Sequence, residues 1–302
     1  MAKVITSARL QAVTAGFQTA FNRVFQGGQT QWSKVASKTT SSSAKEIYGW
    51  LANTFGMKQV IGEIEIEGIT AQDYELVNLD FHDTKAIKEN DLKDDREGVY
   101  TPMFEMMGMG ANRAYDEIVF DRLSNGFTAK GYDGKAFFHA AHPVGDKAKT
   151  TFSNLGTKKW SATNYKAALA AIKTVKAANG KPWGFGQKLV VVCHPSIEMD
   201  VRAVLFNEKN ANGASNELRN SADICVSGLL TNPDAWFILE TGWPVLPILL
   251  QERETIAITS CNQPNDSYVM TNHQYLFQAW GRYNAGYGIP AMAWGSTGAD
   301  PA

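Results

Sequence analysis

Residues 96–146 read REGVYTPMFEMMGMGANRAYDEIVFDRLSNGFTAKGYDGKAFFHAAHPVGD and carry the strongest structural signals in the chain. Apolar side chains recur at helical spacing through the first half of this stretch, which predicts one long helix over residues 91–126. The members of this stripe are Tyr100, Met103, Phe104, Met107, Ala111, Ala114 and Ile118. Gly126 suits the end of the helix. Gly108 and Gly110 weaken its middle by about 1 kcal/mol each, which predicts a bend or a close helix contact there.

Two histidines three residues apart follow the helix, and they raise the question of a metal site. His139 and His142 are the residues that a metal-dependent hydrolase would use here, with Asp133, Asp146 and His194 as further ligands. Pro143 disfavours helical geometry at His142, and no HExxH or paired CxxC pattern frames the pair. The favoured interpretation is a structural histidine pair on a connecting loop, without catalytic residues, metal or cofactor.

The N-terminal segment predicts an arm with a single helical anchor. Residues 7–25 form an amphipathic pattern whose apolar positions are Leu10, Val13, Phe17, Phe21 and Val24. After Gly27 and Gly28, the Ser/Thr-rich residues 37–43 contain no large apolar side chain and are expected to be extended or mobile unless something holds them. We therefore expect the first 45 or so residues to lack support from their own molecule.

Residues 60–90 predict a projecting β-hairpin. Apolar and acidic residues alternate through Ile64 and Ile66, and turn-prone residues interrupt the run. Its apolar half is thin, and an isolated hairpin is marginal in water, so this segment is expected to depend on a partner. Glu63, Glu65 and Glu67 share one strand face, which is either a solvated surface or a charged surface that meets a basic patch on a neighbouring subunit.

From residue 160 onward the pattern alternates between helices and strands, so the fold class is α+β. Thr163 is the expected cap of a helix that ends at Asn179 and Gly180, and Pro195 is expected to open a second helix that runs through Phe206. Residues 207–223 predict a polar loop. The predicted strands are KLVVVC, ICVSGLL, AWFILET, PVLPILL, TIAITS and the aromatic C-terminal section that begins at residue 267.

Composition excludes several classes of function. The chain has 302 residues, a net charge of −1 and no basic excess that would indicate tight nucleic-acid binding. Three scattered cysteines favour buried free thiols over a disulfide framework; they are Cys193, Cys225 and Cys261. Neither a signal-peptide pattern nor an apolar run of membrane-spanning length occurs, which predicts a soluble protein made in a cytoplasm.

Four stretches in order resemble the major head subunit family of Mu-like phages and prophages. They are AVTAGFQTAFNRVF, KEIYGWLANTFGMKQVIGE, residues 96–146 and YLFQAWGRYNAGYGIPAMAWGS. The resemblance implies the Hong Kong 97-type capsid fold. It also implies these divisions: 1–59 N-terminal arm, 60–90 extended loop, 91–159 spine helix and first part of the peripheral domain, 160–250 axial domain, and 251–302 peripheral C-terminal strands.

The resemblance further implies a structural protein that assembles with itself, as hexamers and pentamers, into the icosahedral head around a phage genome. Expected partners are a portal, a scaffold or protease, decoration or head-completion proteins and weakly contacted DNA, with no membrane; assembly is expected in the bacterial cytoplasm. An encapsulin-like compartment of the same fold is the alternative. The residues expected to contact neighbouring subunits are Phe17, Phe21, Trp32, Glu63, Glu65, Glu67, Tyr74 and Phe81.

Overall fold

The computed structural model describes residues 7–48, 74–93, 97–144, 150–178, 180–210, 212–263 and 265–300. The helices are α1 (Ser7–Gly27), α2 (Glu89–Lys93), α3 (Glu97–Asn125), α4 (Ala162–Thr174), α5 (Glu198–Phe206) and α6 (Ser267–Asn272). The strands are β1 (Ala36–Thr40), β2 (Lys45–Ile47), β3 (Glu75–Val77), β4 (Leu79–Lys88), β5 (His142–Pro143), β6 (Thr151–Phe152), β7 (Leu155–Lys158), β8 (Leu189–Cys193), β9 (Asp223–Val226), β10 (Trp236–Glu240), β11 (Ile248–Cys261), β12 (Gln274–Tyr287) and β13 (Ala293–Asp300). Short 3₁₀ turns occur at Trp32–Lys34, Pro195–Ile197 and Pro290–Met292.

The predicted long helix is confirmed as α3, which ends at Asn125, one residue before Gly126. It begins at Glu97, later than predicted, because residues 89–93 form the separate helix α2. Its apolar stripe packs on the sheet that contains β12: the ring of Phe104 meets that of Phe277 edge to face, with centroids 4.9 Å apart. Tyr115 meets Tyr283 in the same way at 4.9 Å. The helix is therefore fixed to the sheet by aromatic contacts along its length.

The N-terminal helix packs on its own molecule, so the expectation that it lacks internal support is wrong. Phe17 and Phe21 are buried, and Phe17 stacks on Phe104 of α3 with ring centroids 4.2 Å apart. The predicted close helix contact lies at Gly108, where an added Cβ would stand 2.5 Å from the carbonyl oxygen of Phe21. Because no side chain separates the two backbones at that point, α1 lies directly against α3.

A four-stranded sheet lies beneath these helices in the order β1-β11-β12-β4. Two strands were predicted between residues 244 and 260, but they form one strand, β11, whose register against β12 shifts between Glu252 and Ala257. These irregularities let a single strand carry a polar turn-like stretch without leaving the sheet. The Ser/Thr-rich segment is held as well, since β1 pairs in parallel with β11.

A five-stranded sheet, in the order β7-β13-β10-β8-β9, forms the second layer. Every residue of β8 and β10 is buried, which explains their uninterrupted apolar sequences. The helix predicted to precede β8 is confirmed, but Ser161 rather than Thr163 caps it: the Ser161 Oγ accepts a hydrogen bond from the Asn164 backbone N–H at 3.2 Å. The helix ends at Thr174, earlier than predicted.

The C-terminal strands divide between the two sheets. β12 pairs with β11 and β4, as the resemblance implies, whereas β13 pairs with β10 and β7 in the other sheet. The short connection through Pro290–Met292 therefore carries the chain from one sheet to the other. β11 also crosses residue 250, where the axial segment was expected to end. The domain boundaries themselves stay a prediction.

The expectation of buried free thiols is confirmed for Cys193 and Cys225, while Cys261 is half-buried. Burial raises the pKa of Cys193 to about 12 and that of Cys225 to about 11. A thiol with so high a pKa has little thiolate character at neutral pH, so both act as small packing side chains.

Candidate functional site

An exposed apolar surface lies on the short β2–β3 pair and at the start of β4, the strand that follows β3. β2 and β3 pair in antiparallel register, Lys45 opposite Val77 and Ile47 opposite Glu75, so these four side chains share one face. Ile47 is 56% exposed and Val77 is 49% exposed; Leu79, two residues further on, is 42% exposed. We call Ile47, Val77 and Leu79 the ladder surface. Three neighbouring exposed aliphatic side chains are typical of a contact site.

The opposite face of this ladder is fastened to β11 by a buried amide. The Gln251 Nε2 donates to the Leu76 carbonyl oxygen at 3.0 Å and to the Asn78 Oδ1 at 2.8 Å. The Tyr48 hydroxyl donates to the Gln251 Oε1 at 2.8 Å. Leu76 is buried beneath them. The ladder is therefore held in a fixed position against β11, because both polar groups of the Gln251 side chain are hydrogen-bonded to Tyr48, Leu76 and Asn78.

The residues predicted to contact neighbouring subunits fall into three groups. Phe17 and Phe21 are buried within the chain, so they present no surface to a neighbour in this conformation, which corrects their assignment. Glu63, Glu65 and Glu67 lie outside the described residues. The remaining three are partly exposed, and their role between subunits stays a prediction; they are Trp32, Tyr74 and Phe81.

These three partly exposed aromatic residues already have contacts within the chain. Phe81 stacks on Tyr283 with ring centroids 4.4 Å apart, and the Tyr74 hydroxyl accepts a hydrogen bond from the Tyr287 backbone N–H at 2.8 Å. Burial raises the pKa of Tyr74, so it stays protonated. The Trp32 backbone N–H donates to a carboxylate oxygen of Asp116 at 2.7 Å. Their exposed edges are held in place by these contacts.

A buried carboxylate ties the segment after α1 to the long sheet. The Lys38 Nζ of β1 lies 2.7 Å from the Glu252 Oε2, to which the Thr255 hydroxyl donates at 2.8 Å, and the Tyr115 hydroxyl donates to the Glu252 Oε1 at 2.5 Å. Burial raises the pKa of Glu252, but these three donors outweigh it and hold the pKa below its ordinary value. Glu252 thus joins β1, α3 and β11 as an anion.

The loop after α3 contains a buried histidine with two side-chain partners. The His142 Nδ1 lies 2.6 Å from the Asp133 Oδ2, and its Nε2 lies 3.1 Å from the Asn154 Oδ1. Side-chain exposure is 1% for His142 and 4% for Asp133. Burial raises the pKa of Asp133, but the hydrogen bond and charge of His142 outweigh it and lower the pKa. We call His142, Asp133 and Asn154 the histidine junction.

The same loop contacts both sheets. Phe137 stacks on Tyr287 of β12 with ring centroids 4.6 Å apart, and Phe138 lies against Gly295 of β13, where an added Cβ would stand 2.9 Å from its ring. Gly295 also donates its N–H to the Asn154 carbonyl oxygen at 2.9 Å. The structural interpretation of the loop agrees with these contacts, because the loop packs where the two sheets meet.

The other two histidines of the proposed hydrolase site have local roles. The His139 Nδ1 accepts a hydrogen bond from the Ala141 N–H at 3.0 Å. His194 caps the turn after β8, where its Nδ1 accepts from the Ser196 N–H at 3.2 Å. Within the described ranges, no group of three or more His, Cys, Asp or Glu side chains is placed to hold a metal ion. The hydrolase hypothesis has no support from this geometry.

None of the helices in the described part of the chain combines the length and the apolar character that crossing a bilayer requires.

A long helix packed on a four-stranded sheet, with a second, five-stranded sheet, matches the Hong Kong 97-type capsid fold, which is a fold of shell-forming subunits. The solved procapsid of bacteriophage JBD30 matches 97% of this chain and 76% of its own, with a TM-score of 0.62 and 25% sequence identity. The family model for the Mu-like prophage major head subunit gpT matches residues 10–162, 155–230 and 231–299. The chain belongs to this family and is a major head subunit.

Two curated relatives agree with this assignment. The major capsid protein of Escherichia phage Mu is 25% identical over 290 residues, which span 96% of this chain and 74% of that protein. The Mu-like prophage FluMu major head subunit of Haemophilus influenzae is 24% identical over 289 residues, which span 96% of this chain and 73% of that protein. The sequence resemblance is thereby confirmed over almost the whole chain.

Proposed function

We propose that copies of this head subunit join through the ladder surface and the extended loop beside it, as hexamers and pentamers, into a closed shell around a phage genome. The observation that carries the proposal is an exposed apolar surface on a strand pair that is held in position. Ile47, Val77 and Leu79 face solvent, while Gln251 hydrogen-bonds to the opposite side of the ladder. Burying three half-exposed aliphatic side chains against a neighbour is favourable at about 25 cal/mol per Å² of apolar area removed from water.

Such a contact suits a closed shell because it joins different surfaces of identical chains. Heterologous contacts generate rings when the rotation closes. Each contact then needs only modest affinity, since every subunit is held by several neighbours at once. A short ladder with one aliphatic face meets this requirement, whereas a large hydrophobic interface would lock subunits into a single local geometry.

The role is structural, and we propose that it includes no enzymatic activity and no cofactor. Assembly takes place in the bacterial cytoplasm, with a portal, a scaffold or protease and decoration or head-completion proteins as further partners, and without a membrane. A net charge of −1 suits weak, non-specific contact with packaged DNA, because a strongly basic wall would bind the phosphate backbone tightly.

The test is assembly of the full chain, expressed in bacteria and examined by electron microscopy and sedimentation. We expect shells from the wild type, and few or none from the double variant Ile47→Thr, Val77→Thr, which should remain folded as small species. Met199→Thr is the matched control because Met199 is 75% exposed and lies on α5, which contributes no residue to the ladder surface. Shells of normal yield from the double variant would contradict the proposed contact.

The encapsulin-like alternative differs in what the shell contains. We expect particles isolated from an induced lysogen to hold nuclease-protected DNA. Particles that contain a cargo enzyme and no DNA would favour the compartment over the phage head, while leaving the shell-forming role of the ladder surface intact.

A further inference from the structure

We propose that a lysine-rich face of α4 and of the hairpin that follows it is the surface that contacts packaged DNA. We call Lys166, Lys173, Lys176 and Lys181 the basic face. The proposal rests on the proposed function for its ligand, because it needs a shell that encloses DNA, and it adds the surface at which subunit and DNA meet. The basic face shares no residue with the ladder surface.

The positive charge of this chain is concentrated in one stretch of sequence. Residues 147–197 contain nine lysines and neither an arginine nor an acidic residue, while the whole chain has a net charge of −1. The stretch lies between Asp146, which is outside the described residues, and Glu198. Lysines clustered in one part of a nearly neutral chain form a local electrostatic footprint for a polyanion.

Lys166 and Lys173 lie on the exposed side of α4. They are seven residues apart, close to two helical turns, so their side chains leave the same side of the helix about 10 Å apart. The stem of Lys173 crosses Gly186, where an added Cβ would stand 2.6 Å from the Lys173 Cε. The stem is therefore packed against the following loop while the residue stays exposed. The side chains that α4 buries lie on a different side: Tyr165, Ala168 and Ile172.

The hairpin after α4 adds two more ammonium groups. The Trp183 N–H donates to the Val175 carbonyl oxygen at 3.0 Å, so residues 175–183 turn back on themselves directly after the helix. Lys176 and Lys181 are both exposed, one on each arm of this hairpin. The positive charge of α4 thus continues past its C-terminal end.

Few carboxylates oppose this charge in the described part of the chain. The Lys166 Nζ lies 3.7 Å from the Glu217 Oε2, and the Glu217 side chain is 83% exposed, so solvent screens the pair. Lys173 and Lys176 form no ion pair with a described carboxylate. Lys85 of β4, by contrast, lies 2.7 Å from the Asp83 Oδ1. The charge of the basic face is therefore available to a ligand.

The residues between the lysines favour DNA over an acidic protein as that ligand. Protein interfaces centre on large apolar or aromatic side chains and are enriched in arginine and depleted in lysine. The basic face has no arginine, and the other fully exposed positions of α4 are alanine or threonine: Ala162, Thr163, Ala167, Ala170 and Thr174. Lysine acts as a point charge that neutralises phosphates without reading bases. Such contacts are independent of sequence and allow DNA to slide as it is packaged.

DNA binding by the unassembled subunit tests the surface without requiring shells. The probe is a fluorescent duplex of about 20 base pairs, followed by anisotropy from about 20 to 100 mM salt, because each phosphate contact contributes about −0.9 to the slope of log affinity against log salt. We expect the wild type to bind. The variant Lys166→Gln, Lys173→Gln, Lys176→Gln should bind more weakly, with a slope shallower by about 0.9 for each lost contact, about 2.7 in all.

The matched control removes the same charge at exposed lysines outside the basic face. It is Lys85→Gln, Lys130→Gln, Lys135→Gln, and it should change the slope by less than about 1. Equal slopes for the two triple variants would overturn the proposal, and so would a wild type that does not bind the duplex.

A peptide with the sequence of residues 60–75 tests an acidic protein as the partner instead. It contains Glu63, Glu65 and Glu67. We expect it to bind the wild type more weakly than the duplex does at the same salt concentration. Tighter binding that is lost in the basic-face variant would assign the face to a neighbouring subunit and overturn the assignment to DNA.

Lysine labelling of assembled particles tests the same surface inside the shell. Particles that contain DNA and particles emptied of it are treated with a small amine-reactive reagent and analysed by mass spectrometry. We expect Lys173 and Lys176 to be labelled several-fold less when DNA is present, and Lys85 equally in both. Equal labelling of Lys173 and Lys176 would contradict the proposal. Failure to form any particle would instead contradict the proposed assembly and leave the duplex measurement valid.

Discussion

Helix α1 and the hairpin expected over residues 60–90, which supplies β3 of the ladder, were both predicted to lack support from their own molecule, and they differ in the outcome. The stripe of α1 places Phe17 and Phe21 in the core beside α3, whereas the ladder buries Leu76 and leaves Ile47 and Val77 in solvent. The difference is geometric. A helix with a single apolar face can bury all of it on one neighbour, but a strand pair with aliphatic residues on both faces can bury only one of them.

Whether α1 or the ladder is buried depends on the part of the molecule that it packs against as much as on its own sequence. α1 lies close to α3 because Gly108 has no side chain at the point where the Phe21 carbonyl approaches. The ladder is instead held by the polar groups of Gln251. Hydrogen bonds fix its position without covering its outer face. A subunit in which α1 is packed into the core while the ladder keeps an exposed outer face can fold alone and still retain a surface for assembly.

The largest effect is expected where α1 meets the core. Phe21→Ala should lower the free energy of unfolding of the unassembled subunit by about 3–5 kcal/mol, because it removes a fully buried ring and leaves a cavity. Denaturant unfolding measures the change. Phe25→Ala, at a half-buried position of the same helix, should cost clearly less. Equal costs for both would mean that α1 is not packed as described.

The next effect separates two glycines of α3. Gly108→Ala should destabilise the subunit by about 1–3 kcal/mol, since its Cβ would meet the Phe21 backbone, which cannot rotate away. Gly110→Ala, where no atom lies within 4 Å, should be neutral or stabilise the helix by up to about 1 kcal/mol. Thermal unfolding of the pair tests this, and two changes of the same sign would argue against the close contact.

The buried carboxylate behind β1 predicts a dependence on acidic pH. The folded pKa of Glu252 is lowered, so its stabilisation is present above the pKa of the unfolded chain and is lost as the pH falls through the folded value. Glu252→Gln should cost about 1.5–3 kcal/mol near neutral pH, the range for hydrogen bonds to a charged group. In unfolding series from pH 6 to pH 3, the difference between variant and wild type should shrink; a constant difference would contradict this ionisation.

The smallest effect on folding is expected at the ladder surface. Ile47→Thr with Val77→Thr should change the free energy of unfolding of the unassembled subunit by no more than about 0.5 kcal/mol, because about half of each residue is already in solvent. Denaturant unfolding of the two-residue variant checks this value. A large loss of stability would show that the ladder, like α1, is part of the folded core and not a surface kept for assembly.

Sequence patterns predicted elements best where one periodicity ran without interruption. The C-terminal end of α3 and the apolar run of β8 were predicted to within one residue, whereas α3 begins at Glu97 and not at residue 91. The patterns failed at the bulged strand β11, where polar residues Glu252 and Glu254 interrupt an apolar sequence. Glu252 is nevertheless buried and bonded to Lys38 and Tyr115, residues so distant in sequence that no local window contains them.

The site was predicted less completely than the fold. The sequence indicated a structural histidine loop, but His142 became interpretable only with Asn154, an ordinary residue on the next connection. The ladder surface was missed because β2 and β3 are three residues each, too short for a periodic signal. The signal available in the sequence was a set of aliphatic residues next to the expected hairpin. Their exposure could not be predicted from it, because that exposure depends on Gln251, which lies far along the chain.

The amino-acid sequence alone determined the family, the long helix and the buried strands, because these follow from local periodicity and from motifs in fixed order. Only the tertiary structure decided that α1 belongs to the core, that β13 crosses to the second sheet and that the ladder keeps an aliphatic face in solvent. Burial and pairing depend on contacts between segments far apart in the chain, and the free energy of those contacts is set by the assembled geometry and not by any local pattern.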